Sequence, residues 1–340
     1  MDHDVAPPVQ MVQLLAGFQL SQALYAVAKL DVATVLARGP ESVTKLAEEV
    51  GAAAEPLARL LRTLASVGLF VETQPGTYAT TPLGATLAVD APGSMRDLAL
   101  MWMETHYAPF AGLVDTVRTG ACAATSFYGQ PFFEWLAGDP EQVARFTGAM
   151  ANLTDGIKAA ALSGYRLPAG AVVVDVGGAD GTLLATVLAA DPDASRRGVV
   201  FDLPHVSTAA AERIAERGLG DRVDTVGGDF FAAVPKGDVY LVSMILHDWE
   251  DASCHRLLRT IARSGRAGAR LCAVEFVVPP GDVPHMSKMI DLTMLGMLTG
   301  KERTADEFEA LLAAAGFRLD RIVDTGSPMS VLEATLVDAP

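Results

Sequence analysis

From residue 171 to the end of the chain, apolar runs alternate with helical stretches. The runs predict strands over Val172–Asp175, Gly198–Asp202, Val223–Val226, Val239–Ser243 and Arg270–Glu275, with two more over Arg318–Thr325 and Ser330–Thr335. The helical stretches between them are Leu183–Ala190, Val206–Arg217, Ala252–Ala262 and Ala305–Ala315. Strand and helix in alternation read as a doubly wound α/β sheet. The first strand, AVVV, is apolar on both faces, as a strand covered by helices on either side must be. Residues 276–304 break the rhythm, and Met286, Met289, Met294 and Met297 lie there. Thioether side chains fill irregular space, so this insertion is either core filler or the wall of a hydrophobic pocket.

The first half follows another pattern. Val9–Leu30 is helical and apolar around most of its circumference, too widely for a free surface. Two short helices, Val43–Val50 and Pro56–Val67, precede a hairpin of Leu69–Thr73 and Thr77–Thr81 around Gln74-Pro75-Gly76, the layout of a winged-helix unit. Its candidate recognition helix carries only Arg59 and Arg62 as cations, so a structural, dimer-forming role is expected rather than DNA reading. Residues 94–165 read as almost wholly helical, broken at Gly138-Asp139-Pro140. Trp102, His106 and Phe110 fall on one helix face, and Phe146 and Met150 repeat the spacing. Such stripes are core more often than pocket. As pocket they make Trp102, Met103, His106, Phe146 and Met150 candidate substrate contacts, joined by Met289, Met294 and Met297 of the insertion. The expected division is 1–95, 96–165 and 166–340.

Composition narrows the function classes. Half of the 340 residues are hydrophobic, ample for a sizeable core, and the net charge of −15 disfavours a general nucleic-acid role. Cys122, Cys254 and Cys272 are scattered, with neither metal spacing nor a disulfide framework, so no metal is expected. The start MDHDVAPPVQ is acidic, without the charge pattern of a signal peptide, and no apolar run is expected to reach membrane-span length. The expected address is the reducing cytoplasm, with no membrane or nucleic-acid partner.

The chemistry lies at the strand ends, where a doubly wound sheet binds its ligands. The first strand runs into Asp175, Gly177, Gly178 and Gly181. A dinucleotide loop needs G-x-G-x-x-G, and Ala179 and Thr182 break that pattern; acidic-x-Gly-x-x-x-Gly fits instead. The second strand ends in Asp202-Leu203, where a carboxylate suits the vicinal hydroxyls of a ribose. The third ends in Gly228-Asp229-Phe230, which offers an acceptor for an adenine amino group and a ring to pack on it. Each carboxylate alone is also ordinary turn chemistry; their placement at successive strand ends argues for one adenosine ligand. The fourth gives Ser243, then His247-Asp248-Trp249. Asp248 can cap the following helix or face substrate. His247 has no such structural explanation, and an imidazole there can take a proton from a phenol. Glu275 ends the fifth strand and Glu302 precedes a helix. Both can orient that imidazole and raise its basicity; alternatively Glu302 is a helix N-terminal charge and Glu275 a ligand to something else. Arg145, between apolar residues, is a candidate for a ligand carboxylate.

These residues resemble a family. DVGGADG, FDLPHV, GGDFF, LHDW, AVEFVVP and GKERTADEFEALLAAAGF, spread over nearly the whole chain, are similar to the S-adenosylmethionine-dependent O-methyltransferases of the caffeate and polyketide-tailoring type. The resemblance implies a Rossmann-like doubly wound domain that binds S-adenosylmethionine, with an N-terminal all-helical, winged-helix-like dimerisation domain. It implies a homodimer that methylates a hydroxyl, expected to be phenolic, of an aromatic or polyketide-type secondary metabolite and releases S-adenosylhomocysteine. The family's base falls on His247 and its flanking acids on Glu275 and Glu302; its cofactor contacts fall on Gly177, Asp202, Asp229 and Phe230. The chain departs from the family at Ala179, where glycine is usual, and at Ser243, where plant members carry a lysine. It departs again in stretches 102–110 and 289–298, which do not follow the plant pattern. Relatives that turned to decarboxylation, hydroxylation or ring closure often lack the histidine, so its retention favours methyl transfer. A regulator that senses the same cofactor through the winged helix is the remaining alternative.

Overall fold

The computed structural model describes residues 6–153, 157–162 and 164–337. The acidic first five residues, part of the expectation of no leader, lie outside them. The chain forms two compact units, Met1–Ala108 with Glu141–Leu153, and Pro109–Pro140 with Thr154–Pro340. The segment read as 96–165 is thus shared between the units.

In the first unit the expected helix Val9–Leu30 is two helices, Pro7–Leu15 and Gly17–Lys29, interrupted at Ala16. The former buries none of its residues, and the latter buries Ala23, Val27 and Ala28. Taken together, Pro7–Lys29 is long and apolar enough, by length and composition, to cross a membrane, which corrects the expectation that no run reaches that length. Strand β1 (Glu41–Ser42) leads into helix Val43–Val50, capped by the Ser42 hydroxyl, which accepts from Lys45 N–H. Helix Ala54–Ser66 buries Leu57, Leu61 and Leu64 at helical spacing. The wing strands β2 (Phe70–Gln74) and β3 (Thr77–Thr80) join β1 in a three-stranded sheet of order β1-β3-β2, so the helices of this unit carry a small sheet.

Further along, helix Arg96–Met101 gives way to a π turn over Trp102–His106. The wider turn breaks the α spacing that put Trp102, His106 and Phe110 on one face, and Phe110 belongs to a 3₁₀ turn of the second unit. The π turn aims Glu104 at a cluster of its own unit. The carboxylate accepts from Tyr25 Oη at 3.0 Å and Lys29 Nζ at 2.8 Å, and it pairs with Arg145 of helix Pro140–Leu153.

Among the described residues the second unit holds a seven-stranded sheet of order β6-β5-β4-β7-β8-β10-β9. The strands are β4 (Val172–Val176), β5 (Arg197–Asp202), β6 (Val223–Gly227), β7 (Val239–Ser243), β8 (Arg270–Phe276), β9 (Phe317–Asp324) and β10 (Met329–Leu336). Strands β4 to β8 run parallel, and β10 runs antiparallel to both neighbours. Central strand β7 is buried along its whole length, as the apolar run Val239–Val242 requires. One core gathers Tyr240 and Val242 of β7 with Leu257, Leu258, Ile261, Phe308 and Leu312 from the helices Asp251–Ser264 and Ala305–Ala313. The Met-rich insertion is one helix, Met286–Met297. It buries Met294 and Met297 within its unit and leaves Met289 exposed.

Candidate active site

Strand order reverses between β4 and β7. The chain leaves β4 toward β5 and β6 and then returns to β7 on the other side. The crevice beyond the carboxyl ends of β4 and β7 is where such a sheet takes a ligand. The glycine loop follows β4 and the His247 segment follows β7, so topology alone brings the two halves of the predicted site together.

At Gly177, φ is +74°, and a Cβ there would stand 2.5 Å from Ile245 Cδ1 and 3.9 Å from the Phe230 ring. Glycine is what lets the loop lie against the segments after β6 and β7. Gly178 abuts the Asp175 carboxyl, and Gly181 abuts Val200 and Ile214 ahead of helix Thr182–Ala189. Ala179 also has a positive φ, +48°, a conformation that costs a residue bearing a Cβ; this is the position where glycine was expected. Its N–H donates to Asp202 Oδ2 at 2.8 Å, and Leu203 N–H donates to Oδ1 at 2.7 Å. Burial raises the Asp202 pKa against those two amides. Gly228 N–H donates to the Asp202 carbonyl at 2.9 Å, tying the ends of β5 and β6. Asp229 accepts from Phe231 N–H at 2.8 Å, its turn role, and Phe230 meets Trp249 edge-on with ring centres 6.2 Å apart. Asp175 is buried and pushed up to about 7, chiefly by desolvation. Its Oδ2 and the buried Ser243 hydroxyl have no hydrogen-bond partner among the described residues. A glycine cradle that side chains would fill, and buried polar atoms left over beside it, fit an adenosyl cofactor with a charged amino-acid end.

His247 lies in a short 3₁₀ turn, Leu246–Asp248, and is almost fully buried. Its Nδ1 is 2.7 Å from Glu302 Oε1 and its Nε2 is 3.3 Å from Asp248 Oδ1. A carboxylate only accepts, so Glu302 fixes the proton on Nδ1 and leaves Nε2 to exchange protons. Burial by itself would depress the imidazolium; Asp248, Glu302 and Glu275 outweigh it and hold the pKa at about 9. Two expectations change here. Asp248 does not cap helix Asp251–Ser264, whose N-cap residue is Glu250 without a side-chain bond; it turns to the imidazole instead. Glu275 makes no bond to the ring. It is fully buried at the end of β8, and its Oε1 accepts from Ile245 N–H at 3.1 Å and Leu246 N–H at 2.9 Å. It orients the histidine through the backbone, with its own pKa pushed up to about 7 by desolvation.

Two groups escaped the sequence reading. Arg303, fully buried, donates to Leu246 O at 2.6 Å, to Trp249 O at 2.9 Å and to Asp251, clamping the backbone on both sides of His247-Asp248. Its neighbour Glu302 drew attention as an acid, and nothing in GKERT marked the arginine as buried. Lys158, in the segment before β4, is buried within electrostatic range of Asp175, Glu275, Asp248 and Asp180. A single lysine in an alanine-rich stretch gave no pattern to read. Among the described residues no group of three or more His, Cys, Asp or Glu is placed to hold a metal ion.

The expected substrate contacts divide between the units. Trp102, Met103, His106, Phe146 and Met150 belong to the first, and Met289, Met294 and Met297 to the second. His106 is buried, with Nδ1 2.7 Å from the Thr105 hydroxyl, which itself donates to Met101 O; burial pushes its pKa down to about 4. Arg145, expected to meet a ligand carboxylate, is held here by Glu104 and Glu141.

Comparison with known proteins shows the family and the fold. Residues 110–318 match the family model described as an O-methyltransferase domain, and residues 12–90 match an O-methyltransferase dimerisation domain. Phenazine O-methyltransferase PhzM of Lysobacter antibioticus is 43% identical over 325 residues, 95% of either chain. The mitomycin biosynthesis 6-O-methyltransferase of Streptomyces lavendulae is 33% identical over 94% of this chain and 92% of its own. The crystal structure of LaPhzM superposes with a TM-score of 0.91 at 42% identity, over 98% of this chain and all of that one. The fold is that of a Rossmann-like methyltransferase. The chain belongs to the O-methyltransferase family, with S-adenosylmethionine as its methyl donor.

Proposed function

We propose that this enzyme methylates a phenolic hydroxyl of a small aromatic or polyketide-type metabolite, with His247 as general base. One observation carries the reading: a buried imidazole after β7 whose Nδ1 is held by Glu302 at 2.7 Å, across the strand-order reversal from the glycine loop. Support for an aromatic acceptor comes from relatives named for phenazine and mitomycin O-methylation. S-adenosylmethionine, when bound, supplies the methyl group as a sulfonium substituent. Gly177, Gly178 and Gly181 let the loop backbone approach it, Asp202 offers its remaining lone pairs to the ribose hydroxyls, and Asp229 and Phe230 serve the adenine. His247 Nε2 takes the proton of the acceptor hydroxyl. Glu302 keeps the ring in the productive tautomer, and Asp248 with Glu275 stabilises the imidazolium that forms. Such a base is worth about 10²–10⁴-fold.

The test is His247→Ala with a panel of hydroxylated aromatics, read by cofactor consumption and product mass. The variant should bind S-adenosylmethionine as the wild type does and lose most turnover. Turnover within about tenfold of wild type would overturn the assignment.

The same reading makes the enzyme a cytoplasmic homodimer. Val9, Met11, Val12, Leu14, Leu15 and Phe18 are all about half exposed or more, within or beside the segment that matches the dimerisation model. A second copy is the natural cover for that apolar face. Sedimentation at micromolar concentration should show a dimer, and an active monomer would refute it. Cys122, Cys254 and Cys272 are free thiols, as a reducing compartment permits.

A further inference from the structure

The carboxylate behind the imidazole is held through its main chain. Glu302 Oε1 meets His247 Nδ1 at 2.7 Å, the one hydrogen bond this carboxylate makes among the described residues. Its Oε2 is buried without a hydrogen-bond partner among them. No donor other than the imidazole sets the direction of the carboxylate, so its place depends on where the backbone of Glu302 lies. That backbone is held on two sides. Glu302 N–H donates to Asp291 Oδ1 at 2.9 Å, and Val278 N–H donates to the carbonyl of the next residue, Arg303, at 2.9 Å. Asp291 is partly buried and stands in the middle of helix Met286–Met297. Aspartate is a poor helix former there, beyond the first turn where the helix dipole would favour its charge. Among the described residues the Glu302 amide is the one hydrogen-bond partner of its carboxylate.

We propose that Asp291 is a positioning residue for the methyl-transfer base: by accepting the Glu302 amide it sets the Glu302 carboxylate against the imidazole of His247. The role deepens the reading of His247 as base and rests on it. The link has two steps, Asp291 to the Glu302 amide and the Glu302 carboxylate to the ring, and both are within hydrogen-bond distance. What it requires at residue 291 is an acceptor oxygen. Asparagine keeps one and alanine does not. An aspartate kept only for surface charge would lose nothing to alanine, the better helix former. The same helix carries Met289, Met294 and Met297, the residues expected to meet the acceptor substrate. On that reading one helix places both the acceptor and the carboxylate behind the base.

The experiment reads the bond between Glu302 and His247 in the full-length apoprotein. Proton–nitrogen NMR with isotope-labelled histidine shows the Nδ1–H signal of His247, assigned by its loss in His247→Ala. In Asp291→Ala that signal should move upfield or vanish, as the proton loses its carboxylate and exchanges with water. In Asp291→Asn it should stay near its wild-type position. Turnover should follow the signal: kcat falls in Asp291→Ala, by up to about 10²-fold, with affinity for S-adenosylmethionine retained, and Asp291→Asn restores most of it. Asp291→Leu, without an acceptor, serves if the alanine variant does not fold. An unmoved signal in the variant without an acceptor overturns the proposal. So does an asparagine variant that behaves like it, or a lost signal with unchanged kcat. Retained turnover in His247→Ala would instead sink the reading of the base, while the signal in the Asp291 variants still reports the link to Glu302.

Discussion

Gly300 is the residue on which the position of the catalytic turn is most sharply testable. It lies between helix Met286–Met297 and Glu302, with its backbone against the backbone of His247–Trp249. A Cβ built on it would stand 2.5 Å from Asp248 C and from Trp249 N, and closer still to the His247 carbonyl oxygen. These neighbours are main chain, so no side-chain rotation relieves the contact. Ordinary Cβ contacts begin near 3.4 Å. In Gly300→Ala the two segments must therefore part by about 1 Å, a displacement that at a reacting centre costs on the order of 10²-fold in rate. Arg303 and Glu275 hold the turn from other sides, so the strain falls on the imidazole and its bond to Glu302. The expected result is a kcat lower by about 100-fold and a loss of about 1–3 kcal/mol in stability from overpacking. Cofactor affinity should change little, because Gly177 and Asp202 lie on other strand ends. The assays are steady-state turnover with an accepted hydroxylated aromatic, calorimetric titration with S-adenosylmethionine, and thermal melting. Gly220→Ala is the control, since a Cβ there meets nothing within 4 Å. A Gly300→Ala enzyme with kcat within about threefold of wild type would refute the reasoning.

Glu302→Gln keeps the size of the group on His247 Nδ1 and removes its charge, so kcat should fall by about 10²-fold with cofactor affinity retained; unchanged kcat would show that the charge is not used. Ala179→Gly relieves a positive φ of +48°, worth about 1–2 kcal/mol less the roughly 0.5–1 kcal/mol glycine costs the unfolded-state comparison. Its melting temperature should rise slightly, and a fall would count against the strain. Asp175, Glu275 and Asp248 are raised to about 7, 7 and 6, and His247 to about 9. A raised group contributes stability below its unfolded pKa and loses it as pH climbs through its folded value. Apoprotein stability should therefore fall between pH 5 and 8, limits that bracket about 6 and 7; Lys158, lowered, works in the opposite sense. A melting temperature that rises over this range would contradict the assignment of these carboxylates.

Much of the site was legible because its chemistry sits where strands end. Asp175, Asp202, Asp229 and His247 each follow an apolar run, and a doubly wound sheet gathers such positions at one edge. The failures have local causes. Asp248 reads as a cap because an aspartate just before a helix usually is one; here Glu250 stands at the cap and the carboxylate is drawn to the imidazole. Trp102, His106 and Phe110 read as a stripe under α geometry, and a π turn alters the spacing at Trp102. Glu275 was recognised as an acid of the site, but sequence cannot say whether a carboxylate meets a ring or the backbone beneath it. Arg303 is legible only in three dimensions, since its role is defined by the Leu246 and Trp249 carbonyls and the Asp251 carboxylate, which converge on it from a distant segment.

The buried carboxylates also explain why the catalytic turn is fastened so heavily. Met244, at the end of β7, has a positive φ of +53° without being glycine, a strained start for the segment that carries His247. Glu275 takes the next two amides, Arg303 takes the carbonyls of Leu246 and Trp249, and Gly300 admits its backbone at closer range than a side chain allows. The Glu275 and Arg303 fastenings are polar and buried, and the Gly300 contact is a matter of close packing. They hold the imidazole between Glu302 and Asp248 against the field of the same acids that raise its pKa. An imidazole held by acids this firmly is favoured in its protonated form. A cationic ligand among those acids lowers the proton affinity of every group around it. On the proposed reading of His247 as base, the arrangement that suits the turn to a sulfonium cofactor is also the one that readies the histidine to accept a proton.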